Sequence, residues 1–594
     1  MDQKRLFLAI AISLAILMGF QYLMPKPPST AQRQGTQEGA QQAGQQAAQP
    51  AGTGAAPATA SAGVPREVPR VKIEAPRVAG SISLLGARID DLVLSDYHET
   101  LDRGSPRVRL LEPRSDPRPY YVQYGWSAAA GTTAKLPDND TVWTASAPTL
   151  GQGKSVTLSW DNGADMIFEI EIGIDDKYMF AVEQRVRNNT GAAVQLYPWG
   201  RIRRDYKPVL EGYYVLFEGL FGVLNGKLQE MDYDTAKTDA EKRDARLRKE
   251  GKPAANIAFD ATTTGGWAGL TDKYWLTALI TNASVPTTMT FRHVPGTGPG
   301  PAADNYQVDF RTAEAQTIAP GTRAALPTHV FAGAKVVGLL QNYEQQLSIP
   351  MFDYAVDWGW FWFITRPIFA AIDWLNHHLG NFGLAILVFT VFAKLVFFPL
   401  ANYSYRSMSR MKLLAPKMTE LREKYKEDPQ RMQKEIMTLY REEKVNPASG
   451  CLPIIVQIPV FFSLYKVIFV TIEMRQAPFY GWIKDLSAVD PTNIFNLFGL
   501  IPIDVAAYVS FLHVGIWPLL MGVTMWLQMQ LNPPPPDPVQ AKLFQLMPIG
   551  FTFMLAGFPA GLVIYWTWNN LLSIAQQWMI MKQTSLPKPN LAKT

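Results

Sequence analysis

Apolar and polar positions change rhythm twice along this chain. Residues 6–24, "LFLAIAISLAILMGFQYLM", run with little polar interruption behind Lys4 and Arg5, long enough for a bilayer span of about 20 residues. The run exceeds the usual apolar core of a cleaved signal peptide, about 7–15 residues, and no clear A-x-A-like site follows, so a transmembrane signal anchor over 1–25 is expected. From 26 to 65 Pro, Ala, Gln, Gly and Thr dominate. So few large apolar residues do not offset the entropy of ordering, and this stretch predicts a flexible linker. From 66 to 334 short alternating runs take over between Gly, Asn, Asp and Pro. "MIFEIEIGI" puts Phe168, Ile170, Ile172 and Ile174 on one face and Glu169 and Glu171 on the other, and "MFAVEQRVRN" and "TTMTFRHV" behave alike. A large antiparallel β-sandwich domain is the expectation. Glu169 and Glu171 read as the solvated face of a strand rather than as a catalytic carboxylate pair.

The second half is far more apolar. Connecting and interfacial helices are expected over 335–382, where Trp358, Trp360, Trp362 and Trp374 stand with Arg366 and Asp373, a mixture suited to the membrane interface. Apolar runs then predict spans over 383–400, 452–472 and 514–531, followed by a close pair within 544–581 joined by the tight turn "FPAG". With the first helix, the pattern describes a polytopic α-helical membrane protein of six transmembrane helices.

Charge gives this pattern a direction. The segment 401–450 is rich in Lys and Arg, whereas 473–513 holds only Arg475 and Lys484, and the tail 582–594 carries Lys582, Lys588 and Lys593. Positive loops stay in the cytoplasm, so 401–450, the short loop 532–543 and both termini are expected inside, and the β domain and 473–513 outside. Within 401–450 Met411, Leu414, Met418, Leu421 and Tyr425 recur at coiled-coil spacing, "EDPQ" interrupts, and Met432, Ile436 and Leu439 resume a stripe. The prediction is a cytoplasmic helical hairpin. Its basic residues Arg406, Arg410, Lys412, Lys417, Arg422, Lys424 and Lys426 serve as a solvated face, a docking arm for ribosomal RNA or lipid headgroups, or both.

Composition adds mainly exclusions. The 594 residues allow about three or four domains. A formal net charge of +5 and a pI of 8.9 are too mild to indicate nucleic acid as the main partner. The mean hydropathy of −0.04 averages two unlike halves. A single cysteine, Cys451, excludes an internal disulfide framework and a Cys-rich metal site. His377 and His378 are adjacent and point to different sides of a helix, so no metal and no cofactor are expected.

The polar residues inside the apolar runs are the candidate chemistry. Lys394 in "TVFAKLVFFPL" costs about 2.5–3.5 kcal/mol at a helix centre, which its apolar neighbours can carry. One reading is snorkelling, since Leu400 is six residues on, roughly 9 Å at 1.5 Å per residue. The other is a wet cavity shared by several helices. Thr390 lies one turn from Lys394, Gln457 sits between Pro453 and Pro459, Thr524 and Gln528 share a face, and Asn569, Ser573 and Gln576 share another.

The run "KMTELREKYKEDPQRMQKEIMTLYREEKVNPASGCLPIIVQIPVFFSLYKVI", with "MRQAPF", "DLSAVDP" and "FPAGLVIYW", resembles the YidC/Oxa1/Alb3 family of membrane protein insertases. The resemblance spans the chain and is most specific from about 357 to 581. It implies a five-helix core whose hydrophilic groove opens to cytoplasm and lipid and is closed toward the periplasm. It places the family's positive residue at Lys394, a polar groove position at Gln457, and bulky aromatics at Tyr565 and Trp566. Many members carry Arg where Lys394 stands, so a bidentate arginine contact is not essential here, and 493–513 reads as an insertion. The implied function is insertion, folding and assembly of nascent inner-membrane proteins, alone or with the Sec translocon, without enzymatic chemistry. Ribosome and targeting machinery would dock on the basic hairpin and tail. Two rivals remain at this point. A small-solute transporter lacks an evident inverted repeat, and a membrane-tethered periplasmic carbohydrate-active protein lacks a catalytic constellation.

Overall fold

A computed structural model describes residues 68–102, 104–210, 216–296, 304–443, 445, 452–499, 513–532 and 538–584. The expected signal anchor, the linker and most of the basic tail lie outside these residues. The chain divides between Asp357 and Trp358 into a β unit and a helical unit.

Period-two burial builds the β unit. In strand Met166–Ile174 every second residue is buried, and Phe168, Ile170 and Ile172 are almost fully enclosed. This strand pairs with Met179–Asn188, which pairs in turn with Thr322–Ala334, inside a nine-stranded sheet. A second sheet has eleven strands. The inner faces meet where Trp126 of the larger sheet stands edge-on to Phe168 of the smaller, ring centroids 5.1 Å apart. Glu169 and Glu171 point away from this core, half-exposed, and Arg185 on the neighbouring strand ion-pairs with Glu171 and Glu183. Two departures from the all-antiparallel expectation occur. The strands at 72–74 and 149–151 pair in parallel at the sheet edge, which the long connection between them permits. A helix, α1 (Tyr233–Lys249), interrupts the strands. Its signals are local: the Asp232 side chain accepts the Thr235 N–H at 2.7 Å, and Arg246, Arg248 and Lys249 close the last turn. Helix α2 (Val337–Gln346) follows the last strand.

The helical unit begins with α3 (Trp362–Leu379), ended by Gly380 in the left-handed region, and α4 (Phe382–Val396), capped by Asn381. Phe397 and Pro399 turn the chain by 67° into α5 (Phe398–Leu413). Helices α6 (Ala415–Lys424) and α7 (Pro429–Glu442) form the hairpin. The single helix expected across 411–425 is broken at Leu414, with Pro416 in the next first turn. Its stripe still packs as expected of a seam: Leu414, Met418, Tyr440 and Val445 are buried together against Met411, Ile436 and Leu439. Then follow α8 (Leu452–Val470), α9 (Ile516–Leu531), α10 (Pro538–Leu555) and α11 (Ala560–Thr584).

Among the described residues no single helix is long and apolar enough to cross a membrane. The bent pair α4 and α5 passes together, and Ile455–Val470 and Ala541–Leu555 are shorter apolar stretches. The six expected spans are therefore not seen as six long apolar helices among the described residues, and the first of them lies outside those residues. Lys394 and Pro399, then Pro459 in α8 and Pro548 in α10, divide the apolar runs. The outer surface is nevertheless apolar: Val391, Phe392 and Leu395 on α4, Val523 and Trp526 on α9, and Leu546 and Ile549 on α10 are all exposed.

Candidate functional site

Lys394 sits in the last turn of α4, and its ammonium turns inward. Lys394 Nζ donates to Ser573 Oγ on α11 at 2.8 Å, and Ser573 Oγ donates to the carbonyl of Asn569 at 2.8 Å. One turn earlier, the Thr390 hydroxyl is buried and returns its proton to the Ile386 carbonyl at 2.6 Å. No ion pair joins Lys394 to a carboxylate among the described residues. A cation held by one hydroxyl beside apolar walls attracts negative charge strongly, because little solvent screens it.

These groups open on a cavity of about 150 Å³, room for several waters. Of the nine expected groove residues, Lys394, Thr390, Gln457, Gln528, Tyr565, Asn569 and Ser573 line it, as does Gln576. Gln457 comes from α8 and lies in hydrogen-bond reach of the Tyr565 hydroxyl. Phe389, Phe397, Leu400, Val456 and Val460 supply apolar wall. Gln576 Nε2 is buried with no hydrogen-bond partner among the described residues, so it can donate to water or to a polar guest.

Two of the nine lie elsewhere. Thr524 Oγ donates to the Met521 carbonyl at 2.9 Å and accepts from Asn570 Nδ2 at 3.3 Å, joining α9 to α11. Trp566 follows Tyr565 by about 100° of helix turn and faces away from the cavity. Its ring packs on Phe461 at 4.7 Å and Phe551 at 6.1 Å. Conversely, Tyr405, Met408 and Asn532 line the cavity without having been singled out in the sequence. Tyr405 reaches Ser573 only because the chain bends at Phe397, and Pro399 inside "FFPL" was the available signal.

The docking residues form a separate surface. Arg406, Arg410, Lys412, Lys417, Lys424 and Lys426 are exposed and Arg422 is half-buried. Lys417 pairs with Glu443 at 2.8 Å, and Lys424 and Arg431 lie over the Tyr425 ring.

Residues 374–588 match the family model of the 60Kd inner membrane protein, and residues 70–371 match that of the YidC periplasmic domain. The chain is 57% identical to the membrane protein insertase YidC of Granulibacter bethesdensis over all of both chains. It is 53% identical to the protein of that name from Acidiphilium cryptum, over 98% of each. A crystal structure of an active YidC insertase with its first transmembrane domain resolved aligns with 86% of this chain and 92% of its own, at 17% identity and a TM-score of 0.35. Full-length identity of this order favours neither solute transport nor carbohydrate chemistry. The chain belongs to the YidC family of membrane protein insertases, bacterial inner-membrane proteins with a periplasmic domain that act on nascent membrane proteins.

Proposed function

We propose that the cavity around Lys394 is the groove in which this insertase receives the polar extramembrane segment of a nascent protein. The observation that carries the reading is the Lys394 Nζ to Ser573 Oγ bond, which aims the ammonium at a cavity lined by Gln457, Gln528, Asn569 and Gln576, whose Nε2 has no hydrogen-bond partner among the described residues. Water and polar side chains there shorten the apolar distance a polar segment must cross and lower its desolvation cost. Acidic groups of the client are drawn to Lys394, while its apolar helix partitions into lipid across the exposed apolar faces of the unit. No covalent step is involved. The chain spans the membrane six times with both termini in the cytoplasm. The basic hairpin docks ribosome and targeting machinery, and the Sec translocon is a partner for part of the work. The charge asymmetry of the loops and the exposed cations of α5 and α6 support this orientation.

The test is complementation in a depletion strain. Lys394→Leu is expected to accumulate normally and fail to insert clients, and Lys394→Arg to keep function. Full complementation by the leucine variant would sink the role of the groove charge.

A further inference from the structure

The loop 486–492 holds the first turns of two helices at once. Gly515, which precedes α9, offers no side-chain cap. The N–H groups of α9 are instead met from more than twenty residues upstream: Ile516 N donates to Thr492 Oγ at 2.9 Å and Trp517 N to Asp490 Oδ2 at 2.9 Å. Asp490 is 1% exposed. Its Oδ1 accepts from Trp482 Nε1 at 3.1 Å, Thr492 N at 3.0 Å and the Thr492 hydroxyl at 2.7 Å. Such a carboxylate is fully occupied, and its charge lies at the positive end of the α9 dipole.

The same loop grips α11. Ala560 N donates to the Ala488 carbonyl at 2.7 Å and Gly561 N to the Leu486 carbonyl at 2.9 Å. Both helix starts are built for close approach. A Cβ on Gly515 would stand 2.6 Å from the Asp490 carboxyl carbon, and one on Gly561 would stand 3.0 Å from the Leu486 carbonyl oxygen. Helix α9 brings Gln528 to the cavity, with Asn532 just beyond its end, and α11 brings Tyr565, Asn569, Ser573 and Gln576. Sliding one helix by a residue would shift these groups by about 1.5 Å and rotate them by about 100°, beyond hydrogen-bond tolerance.

We infer that Asp490 is a positioning residue for insertion: by tying α9 to the loop that holds α11, it sets the register of the two helices that bring polar groups to the cavity. Simple capping of α9 would need no such tie. The cavity reading underlies only the activity half of this inference, since register is measured separately.

Register is read in the full-length protein, with Cys451 replaced by serine, from the oxidant-induced disulfide of Thr524→Cys with Asn570→Cys, whose native side chains touch at 3.3 Å. Insertion is read without the cysteine pair. Asp490→Ala is expected to reduce both several-fold. The double variant Asp490→Gly, Gly515→Asp places a cap on α9 itself, in the space left by the whole Asp490 side chain, without the tie. It is expected to restore protein level but neither readout. Rescue of insertion by that double variant, an undiminished disulfide in Asp490→Ala, or a lost disulfide with normal insertion would each overturn the inference. Should neither variant accumulate, Thr492→Val, which removes the hydroxyl bond to Ile516, decides the matter: a weakened disulfide supports the tie and an unchanged one refutes it.

Discussion

At the scale of single residues, polar groups in this protein are set by a few short contacts. Lys394 Nζ donates to Ser573 Oγ at 2.8 Å on the facing helix, a bond that turns the ammonium toward the cavity. In the β unit, burial opposes ionisation of Asp304, yet Lys237 Nζ at 2.9 Å and His293 Nε2 at 3.1 Å outweigh it and hold the carboxyl below its usual range. A depressed folded pKa contributes stability that is present above the unfolded value, about 3.9, and lost as pH falls through the folded one. Acid unfolding below about pH 4 should therefore be shallower in Asp304→Asn than in the parent, as read by circular dichroism of the β unit's strands. Identical acid profiles would contradict the assignment. Side-chain direction set the limit of sequence reading at this scale. Tyr565 and Trp566 are neighbours of similar bulk, and only the packing of Trp566 on Phe461 and Phe551 tells cavity from wall.

At the scale of elements, the strands were legible because alternation in "MIFEIEIGI" is a direct image of two-sided burial. Helix α1 was missed although Asp232, its charged interior and its basic last turn were all present, because the surrounding strand rhythm outweighed a local signal. The bend between α4 and α5 was half legible: Pro399 is visible, but its consequence, Tyr405 beside Ser573, needs the third dimension. Helix contact depends on equally small features. A Cβ on Gly522 of α9 would stand 2.0 Å from the Thr552 hydroxyl of α10, which already bonds the Pro548 carbonyl at 2.8 Å. Gly522→Val is expected to force the helices apart and destabilise the helical unit by about 1–3 kcal/mol, seen as a lower unfolding midpoint in detergent. An unchanged midpoint would show that the contact yields without cost.

At the scale of the whole molecule, each unit answers to its own solvent. The β unit buries aromatic residues between two sheets and keeps charge ladders outside, as an aqueous domain must. The helical unit reverses this, with apolar residues on its surface and Lys394, Asn569, Ser573 and Gln576 gathered within. That reversal was visible in the sequence as polar stripes on several apolar runs. Which stripes converge was not, since Thr524 joins helices while Gln528, one turn on, lines the cavity. The most direct measurement is site-specific photocrosslinking to a ribosome-stalled nascent membrane protein from Gln457, which lines the cavity, and from Trp566, which is packed against Phe461 outside it. Adducts from position 457, weakened by Lys394→Leu and scarce from 566, are the expected result. No adduct from 457, or equal adducts from both positions, would contradict a substrate groove centred on Lys394.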